Sequence, residues 1–103
     1  MSAEVRNNAE LNRYEVLDDG ALAGFAEYTI SPGRIAFTHT ETDPAFAGRG
    51  LGKVLATGAL DDVRATGGLD VLPHCAFIRG FIAKNPDYLD LVPADRRAEF
   101  ELG

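Results

Sequence analysis

The sequence contains one cysteine and no tryptophan among its 103 residues. A single cysteine excludes an internal disulfide and a cysteine-based zinc site, and two histidines with scattered carboxylates are a weak ligand set, so we expect no metal. No apolar run of about 18 residues is present, so a membrane-spanning helix is not expected. The first residues lack the apolar core of a signal peptide, which indicates a cytoplasmic protein.

Positive charge is scarce, since ten basic side chains stand against 16 acidic ones and the formal net charge is −6. This balance disfavours binding to the phosphate backbone of a nucleic acid. It is compatible with a cationic or amine substrate, although acidic surfaces also keep small proteins in solution. The length predicts a single domain over residues 1–103, and 46% hydrophobic residues are enough for a core.

Alternating apolar residues and turn-forming residues predict an antiparallel meander in the first half of the chain. The predicted strands cover residues 13–17, 22–30 and 34–42, with turns at Asp18-Asp19-Gly20 and Ser31-Pro32-Gly33. Residues 1–12 are polar apart from Val5 and Leu11, so a frayed beginning is expected.

A helical period over residues 50–66 follows the meander, and its apolar side chains are predicted to share one face. They are Leu51, Val54, Leu55, Ala59 and Val63. Residues 69–72 form a predicted short strand, so that strand, helix and strand make one right-handed parallel crossover. A second helix is predicted over residues 75–83, followed by helical turns at 88–92 and 95–102. The predicted fold class is therefore α+β, an antiparallel meander joined to one βαβ unit.

The glycine-rich segment before the first helix is the strongest functional feature. Gly48-Arg49-Gly50-Leu51-Gly52 is followed by Lys53. Glycine lets main-chain N–H groups approach a ligand closely, and the start of a helix is electropositive. The segment therefore predicts a site for a phosphate or pyrophosphate.

Three kinds of phosphate loop are compatible with such glycines, and two of them fail here. A P-loop needs Ser or Thr after Gly52-Lys53, but Val54 follows, and Ala47 stands where its first glycine belongs. The dinucleotide fingerprint lacks its last glycine from either starting position. The x-x-G-x-G/A loop that holds the pyrophosphate of coenzyme A fits Gly48 to Gly52.

With these residues the chain resembles the GCN5-related N-acetyltransferase superfamily, and in particular its small stand-alone members. The resemblance covers residues 13–92. The segments that carry it are His39-Thr40-Glu41, Gly48-Arg49-Gly50-Leu51-Gly52, Pro73-His74-Cys75 and Asn85-Pro86-Asp87-Tyr88. Ala47 departs from the Gln or Arg that usually opens the superfamily loop.

The resemblance implies acetyl-coenzyme A as co-substrate and a minimal fold in which the two parallel strands splay apart. The strand before the loop would lie beside the pantetheine arm, through backbone groups of Thr40 and Thr42. Asn85 would bond the pantetheine amides. The implied pyrophosphate or phosphate contacts are Ala47, Gly48, Arg49, Gly50, Leu51, Gly52 and Lys53.

Four side chains are candidates for the chemistry. Cys75 precedes a helix, whose electropositive start favours a thiolate. It is therefore a candidate nucleophile or a candidate proton donor to the departing coenzyme A. The alternative interpretation is that Cys75 is a small buried hydrophobic residue. His39 is a candidate base for the amine or for Cys75, with Glu41 orienting it. By strand alternation His39 is predicted to share a face with Ile35, Phe37 and Glu41. The resemblance implies Tyr88 as a proton donor to the leaving sulfur.

The resulting interpretation is an N-acetyltransferase that acts on a primary amine of a small molecule or peptide. One alternative is a coenzyme A-binding module without turnover, which would act as a sensor or partner-binding protein. Another is a nucleotide-binding domain that uses the same glycines. A monomer or a homodimer is expected, because so small a sheet leaves a strand edge exposed.

Overall fold

The computed structural model describes residues 3–46 and 48–102, which build a five-stranded sheet with the strands in sequence order. The strands are β1 (Ala3–Asn8), β2 (Arg13–Asp18), β3 (Ala21–Ser31), β4 (Arg34–Thr42) and β5 (Asp70–Pro73). The first four pair antiparallel, and β5 pairs parallel to β4. Helix α1 (Leu51–Thr66) connects β4 to β5, and α2 (Ala76–Lys84) follows β5. Short 3-10 segments cover Pro44–Phe46, Pro86–Leu91, Ala94–Arg96 and Ala98–Phe100.

The predicted α+β class and the crossover are confirmed, and the structure adds a strand that the sequence did not predict. The frayed beginning stays a prediction, because residues 1–2 lie outside the described residues. Residues 3–8 form β1, in which Val5 pairs with Val16 of β2. This strand has few apolar residues, but Val5 packs against Gly58 of α1. The prediction for α1 also needs one correction, because Val54 is 36% exposed and lies at the margin of the buried stripe. That stripe consists of Leu51, Leu55, Ala56, Ala59, Leu60 and Val63.

A close contact between α1 and β1 makes Gly58 necessary for packing. A Cβ atom on Gly58 would lie 2.7 Å from Cβ of Val5. Alanine favours a helix by about 1 kcal/mol over glycine, but overpacking costs about 1–3 kcal/mol. We therefore expect Gly58→Ala to lower the free energy of unfolding by roughly 1 kcal/mol in urea titrations. Adding Val5→Ala should relieve the clash; a Gly58→Ala variant more stable than wild type would contradict this packing.

Glu15 of β2 is a buried charge on the sheet, with 2% of the residue exposed. Its carboxylate accepts hydrogen bonds from Nε of Arg13 at 2.8 Å, Nε of Arg6 at 2.9 Å and Nδ2 of Asn8 at 3.2 Å. Burial alone would raise the pKa of this carboxyl, but the three hydrogen bonds outweigh burial and hold the pKa below its ordinary value of 4.5.

Because the pKa of Glu15 is lower in the folded than in the unfolded chain, its stabilising effect is present above the unfolded pKa. The effect is lost as the pH falls through the folded pKa, below 4.5. We expect Glu15→Gln to lower the free energy of unfolding near neutral pH by about 1–3 kcal/mol. Urea titrations at decreasing pH should show a shallower acid-induced loss in this variant. Equal slopes in wild type and variant would contradict the role; exposed Glu4→Gln is the matched control.

The β4 strand contains a bulge that changes which side chains share a face. Phe37 pairs with Tyr28 and His39 pairs with Glu27, so Thr38 is an extra residue that has no counterpart on β3. One inserted residue shifts the side-chain alternation of the strand that follows it. Phe37 is consequently buried in the core, whereas the His39 side chain is 54% exposed.

The same strand parts from β5 immediately before the bulge. The parallel ladder joins Arg34–Phe37 to Asp70–Pro73, and among the described residues β4 pairs beyond Phe37 with β3 alone. The main-chain N–H of Cys75 donates to the carbonyl oxygen of Phe37 at 2.8 Å, which closes the pairing at this point. The edge of β4 over residues 38–42 therefore faces an opening, which confirms the predicted splay.

Candidate active site

A cleft of about 780 Å³ opens between the splayed end of β4, the start of α1 and one side of α2. Its described lining residues are Thr40, Thr42, Phe46, Gly48, Gly50, Leu51, Gly52, Lys53, Ala76, Phe77, Gly80, Phe81, Lys84 and Asn85. Two lysines are among them and no acidic residue is, although the whole chain carries a net charge of −6. The cleft therefore favours an anionic ligand with an apolar or extended portion.

The electropositive end of α1 is exposed to this cleft. Gly50 precedes the helix with φ 69° and ψ 21°, no side chain caps the first turn, and that turn contains no acidic residue. Val54 makes the first helical hydrogen bond, to the carbonyl oxygen of Gly50 at 3.2 Å. The N–H groups from Leu51 to Lys53 lie in the first turn of α1, where main-chain N–H groups have no acceptor within the helix. Uncapped N–H groups and the helix dipole make this end of α1 electropositive, as the sequence predicts for a phosphate site.

Arg49, a predicted phosphate contact, lies at the loop but points away from the cleft in this structure. Its Nη1 atom donates to Oδ2 of Asp18 at 2.7 Å, and its guanidinium lies 5.6 Å from the ring centre of Phe46. Gly48, Gly50 and Lys53, by contrast, line the cleft as the sequence predicts. Ala47 lies outside the described residues. A direct phosphate contact of Arg49 stays a prediction.

Cys75 lies behind the wall of the cleft, next to Thr40. The residue is 7% exposed and immediately precedes α2, and its Sγ atom is hydrogen-bonded to Oγ1 of Thr40 at 3.0 Å, with either atom able to donate. Its neighbour Ala76 and its partner Thr40 both line the cleft. The sequence predicts a role for the backbone of Thr40 but not this side-chain contact, because the contact depends on the bulge that turns Thr40 toward Cys75.

His39 and Glu41 lie together, but on the face of β4 opposite to Thr40. Nε2 of His39 is 3.6 Å from Oε2 of Glu41, and its ring centre is 6.4 Å from that of Phe25. Neighbouring residues of a strand point to opposite faces, so Thr40 and not His39 is directed toward Cys75.

The predicted common face of Ile35, Phe37, His39 and Glu41 is therefore wrong. Ile35 and Phe37 are buried in the core, while His39 and Glu41 follow the bulge and are exposed. An inserted residue cannot be read from hydrophobic alternation, which assumes an unbroken period of two.

Tyr88 contacts Asp61 of α1, and its ring centre is 5.6 Å from that of Phe81, but it is not among the described cleft-lining residues. Its hydroxyl donates to Oδ1 of Asp61 at 2.8 Å. Burial and this hydrogen bond raise the pKa of Tyr88 above its ordinary value, which makes it a weaker proton donor. Asn85 does line the cleft, and its Nδ2 donates to the carbonyl oxygen of Phe81 at the end of α2 at 2.8 Å.

One wall of the cleft comes from α2 and was not predicted as part of the site. Phe77, Gly80, Phe81 and Lys84 occupy successive turns of one helix face and line the cleft, while Ile78 packs in the core. Their spacing of three and four residues is visible in the sequence. A helix pattern does not tell which of two neighbouring apolar stripes is covered by the core and which lines a cleft.

No helix within residues 3–46 and 48–102 has the length and apolar content needed to cross a bilayer. The same residues contain no group of three or more histidine, cysteine or carboxylate side chains arranged to hold a metal ion.

The family model described as GCN5-related N-acetyl-transferase matches residues 13–91. The chain therefore belongs to this family, and the predicted enzyme class, N-acetyltransferase, is confirmed at that level. Among solved structures, the fold is similar to the ribosomal-protein-S18-alanine N-acetyltransferase from Escherichia coli, with a TM-score of 0.51 and 21% sequence identity. The match covers 57% of this chain and 39% of that one, so the likeness concerns the fold and less than half of that protein's length. No curated protein matches the chain.

Proposed function

We propose that the chain transfers the acetyl group of acetyl-coenzyme A to a primary amine on a small molecule or peptide. One observation carries this proposal: the uncapped start of α1 opens into the cleft that also contains Thr40, the hydrogen-bonding partner of Cys75. The start of α1 would bind the phosphates, and Thr40, which lines the same groove, contacts the sulfur of Cys75 behind it. A cytoplasmic location and a monomeric or homodimeric state stay predictions.

Different lining residues of the cleft would bind different parts of coenzyme A. The N–H groups at the start of α1 would hold the pyrophosphate, with Lys53 and Lys84 supplying positive charge. The unpaired edge of β4 near Thr40 and Thr42 would pair with the pantetheine amides as an added strand does. Asn85 lines the cleft where its amide would contact the same arm.

Two routes for acetyl transfer are compatible with Cys75. In the covalent route, the Cys75 sulfur bonds to the thioester carbonyl carbon, the bond to the coenzyme sulfur breaks, and that sulfur leaves with the thiol proton. The amine nitrogen then bonds to the same carbon, the bond to the Cys75 sulfur breaks, and the proton lost by the amine restores the Cys75 thiol as the amide forms. In the direct route, the amine nitrogen bonds to the thioester carbon, the bond to the coenzyme sulfur breaks as Cys75 gives that sulfur a proton, and the proton lost by the amine restores the Cys75 thiol. A hydroxyl of Thr40 at 3.0 Å would stabilise a Cys75 thiolate in either route.

One observation favours the alternative, a coenzyme A-binding module without turnover: the predicted acid and base groups do not contact the sulfur of Cys75. The described hydrogen bond of the Cys75 sulfur is to Thr40, and neither His39 nor Tyr88 shares it. His39 and Glu41 lie on the exposed face of the sheet, so they would have to accept the amine proton from that side. Their catalytic roles, and that of Tyr88, stay predictions.

Calorimetry with acetyl-coenzyme A, coenzyme A and ATP tests the ligand class, and a panel of primary amines tests turnover. We expect both coenzyme A forms to bind and at least one amine to be acetylated. Binding of ATP alone would reject the proposal, whereas coenzyme A binding without acetylation of any amine would select the non-catalytic alternative.

A further inference from the structure

The carboxylate of Asp18, at the end of β2, is buried and only half satisfied. Its side chain is 1% exposed, and Oδ2 accepts a hydrogen bond from Nη1 of Arg49 at 2.7 Å. Its Oδ1 atom is buried without a hydrogen-bond partner among the described residues. A buried carboxylate is costly unless it is paired, so the ion pair with Arg49 is what makes this position tolerable.

Arg49 connects this buried group to the phosphate-binding loop. It stands between Gly48 and Gly50, which both line the cleft and both have positive φ, 82° and 69°. Glycine restricts φ and ψ little, so these two positions do not by themselves fix the conformation of the loop. The ion pair fixes the middle of the loop to the sheet and so limits that freedom.

The guanidinium of Arg49 anchors the loop to Asp18 and does not line the cleft. Its side chain is 45% exposed, and one Nη atom makes the described hydrogen bond to Asp18. A guanidinium has several N–H donors in a rigid planar fork, so a second donor is available for the other oxygen of the same carboxylate. The Oδ1 atom of Asp18, which has no hydrogen-bond partner among the described residues, can accept from a second of these donors, which would make the pair bidentate.

We propose that Asp18 is a positioning residue for the binding of coenzyme A. It does not touch the co-substrate; it holds Arg49, and through Arg49 it holds the main-chain N–H groups from Gly50 to Lys53 in the orientation that binds the pyrophosphate. This inference rests on the proposed function, because it concerns the affinity for the same ligand.

Two roles for the Asp18–Arg49 pair lead to opposite results. If Asp18 positions the loop, Asp18→Asn weakens the binding of coenzyme A, because the amide cannot hold the guanidinium by charge. If Asp18 only competes with the phosphates for Arg49, the same substitution releases Arg49 and strengthens binding. A purely structural ion pair would change the unfolding temperature and leave the affinity unaltered.

The experiment measures the dissociation constant of coenzyme A by calorimetry in wild type, Asp18→Asn, Arg49→Ala and the double variant. We expect each single variant to raise Kd about tenfold, and the double variant to raise it no further, since both remove one interaction. In steady-state kinetics KM for acetyl-coenzyme A should rise while kcat stays unchanged. Asp90→Asn removes one negative charge from an exposed pair with Arg64 and should leave Kd unchanged.

An unchanged or lower Kd in Asp18→Asn, with wild type binding coenzyme A, would overturn the inference and leave the proposed function intact. Absence of binding in wild type would overturn both. If Asp18→Asn does not fold, Arg49→Lys tests the positioning role instead. Lysine keeps the positive charge but lacks the planar guanidinium and its several N–H donors. A wild-type Kd for coenzyme A in this variant would also overturn the positioning role.

Discussion

Replacing Cys75 by alanine is expected to lower kcat at least about 100-fold. The affinity for coenzyme A should remain that of wild type, because the Cys75 side chain is buried behind Thr40 and is not among the described cleft-lining residues. Both routes proposed above need the sulfur, either to carry the acetyl group or to protonate the leaving thiolate. Turnover with the best amine acceptor and calorimetry with coenzyme A measure the two quantities separately.

Intact-protein mass spectrometry after brief mixing with acetyl-coenzyme A separates the two routes. An acetyl adduct present in wild type and absent in Cys75→Ala would support the covalent route. Thr40→Val, which removes the hydroxyl and keeps the shape of the side chain, is the matched variant and should slow acetylation of Cys75. Full turnover by Cys75→Ala would show that the cysteine is only a buried apolar residue.

Substituting alanine for Gly52 is expected to weaken coenzyme A binding about tenfold or more. A Cβ atom at this position would lie 2.8 Å from Cζ of Phe77, so the ring has to move. Both residues line the cleft, and Gly52 also carries one of the N–H groups at the start of α1. The displaced ring and the added methyl group would both occupy space that the pyrophosphate needs.

Gly80 provides a matched control for this substitution. It is a helical glycine that lines the same cleft, but a Cβ atom there would have no neighbour within 4 Å. Gly80→Ala should therefore bind coenzyme A far better than Gly52→Ala does. Phe77→Ala should restore part of the affinity to Gly52→Ala, because it removes the ring that clashes. Equal affinities of Gly52→Ala and wild type would place the pyrophosphate elsewhere.

Much of the architecture was predictable because its determinants are local. The three strands of the meander are bounded by turn residues, and α1 has a clear helical period. The strand β1 could not be predicted in the same way. Its residues are mostly polar and exposed, and Val5 becomes part of the protein interior only by meeting Gly58, 53 positions later in the sequence. Such a strand exists because its partner β2 is already in place.

The candidate site likewise contains features that the local sequence predicts and features that depend on distant residues. The glycine loop was recognisable because φ > 0 at Gly48 and Gly50 is a local requirement that glycine meets without strain. The role of His39 was harder to judge, because a single extra residue at Thr38 turned it away from Cys75. Whether a strand contains a bulge depends on how its neighbour pairs with it, and this is absent from the strand's own pattern.

The amino-acid sequence alone determined the order of the elements from β2 onward, the position of the glycine loop and the family, because these depend on neighbours close along the chain. Tertiary structure alone decided that Thr40 contacts Cys75, that Arg49 is held by Asp18, and that α2 forms a wall of the cleft. Each of these contacts joins residues far apart in sequence. Their geometry follows from strand register and helix packing, which no single segment specifies.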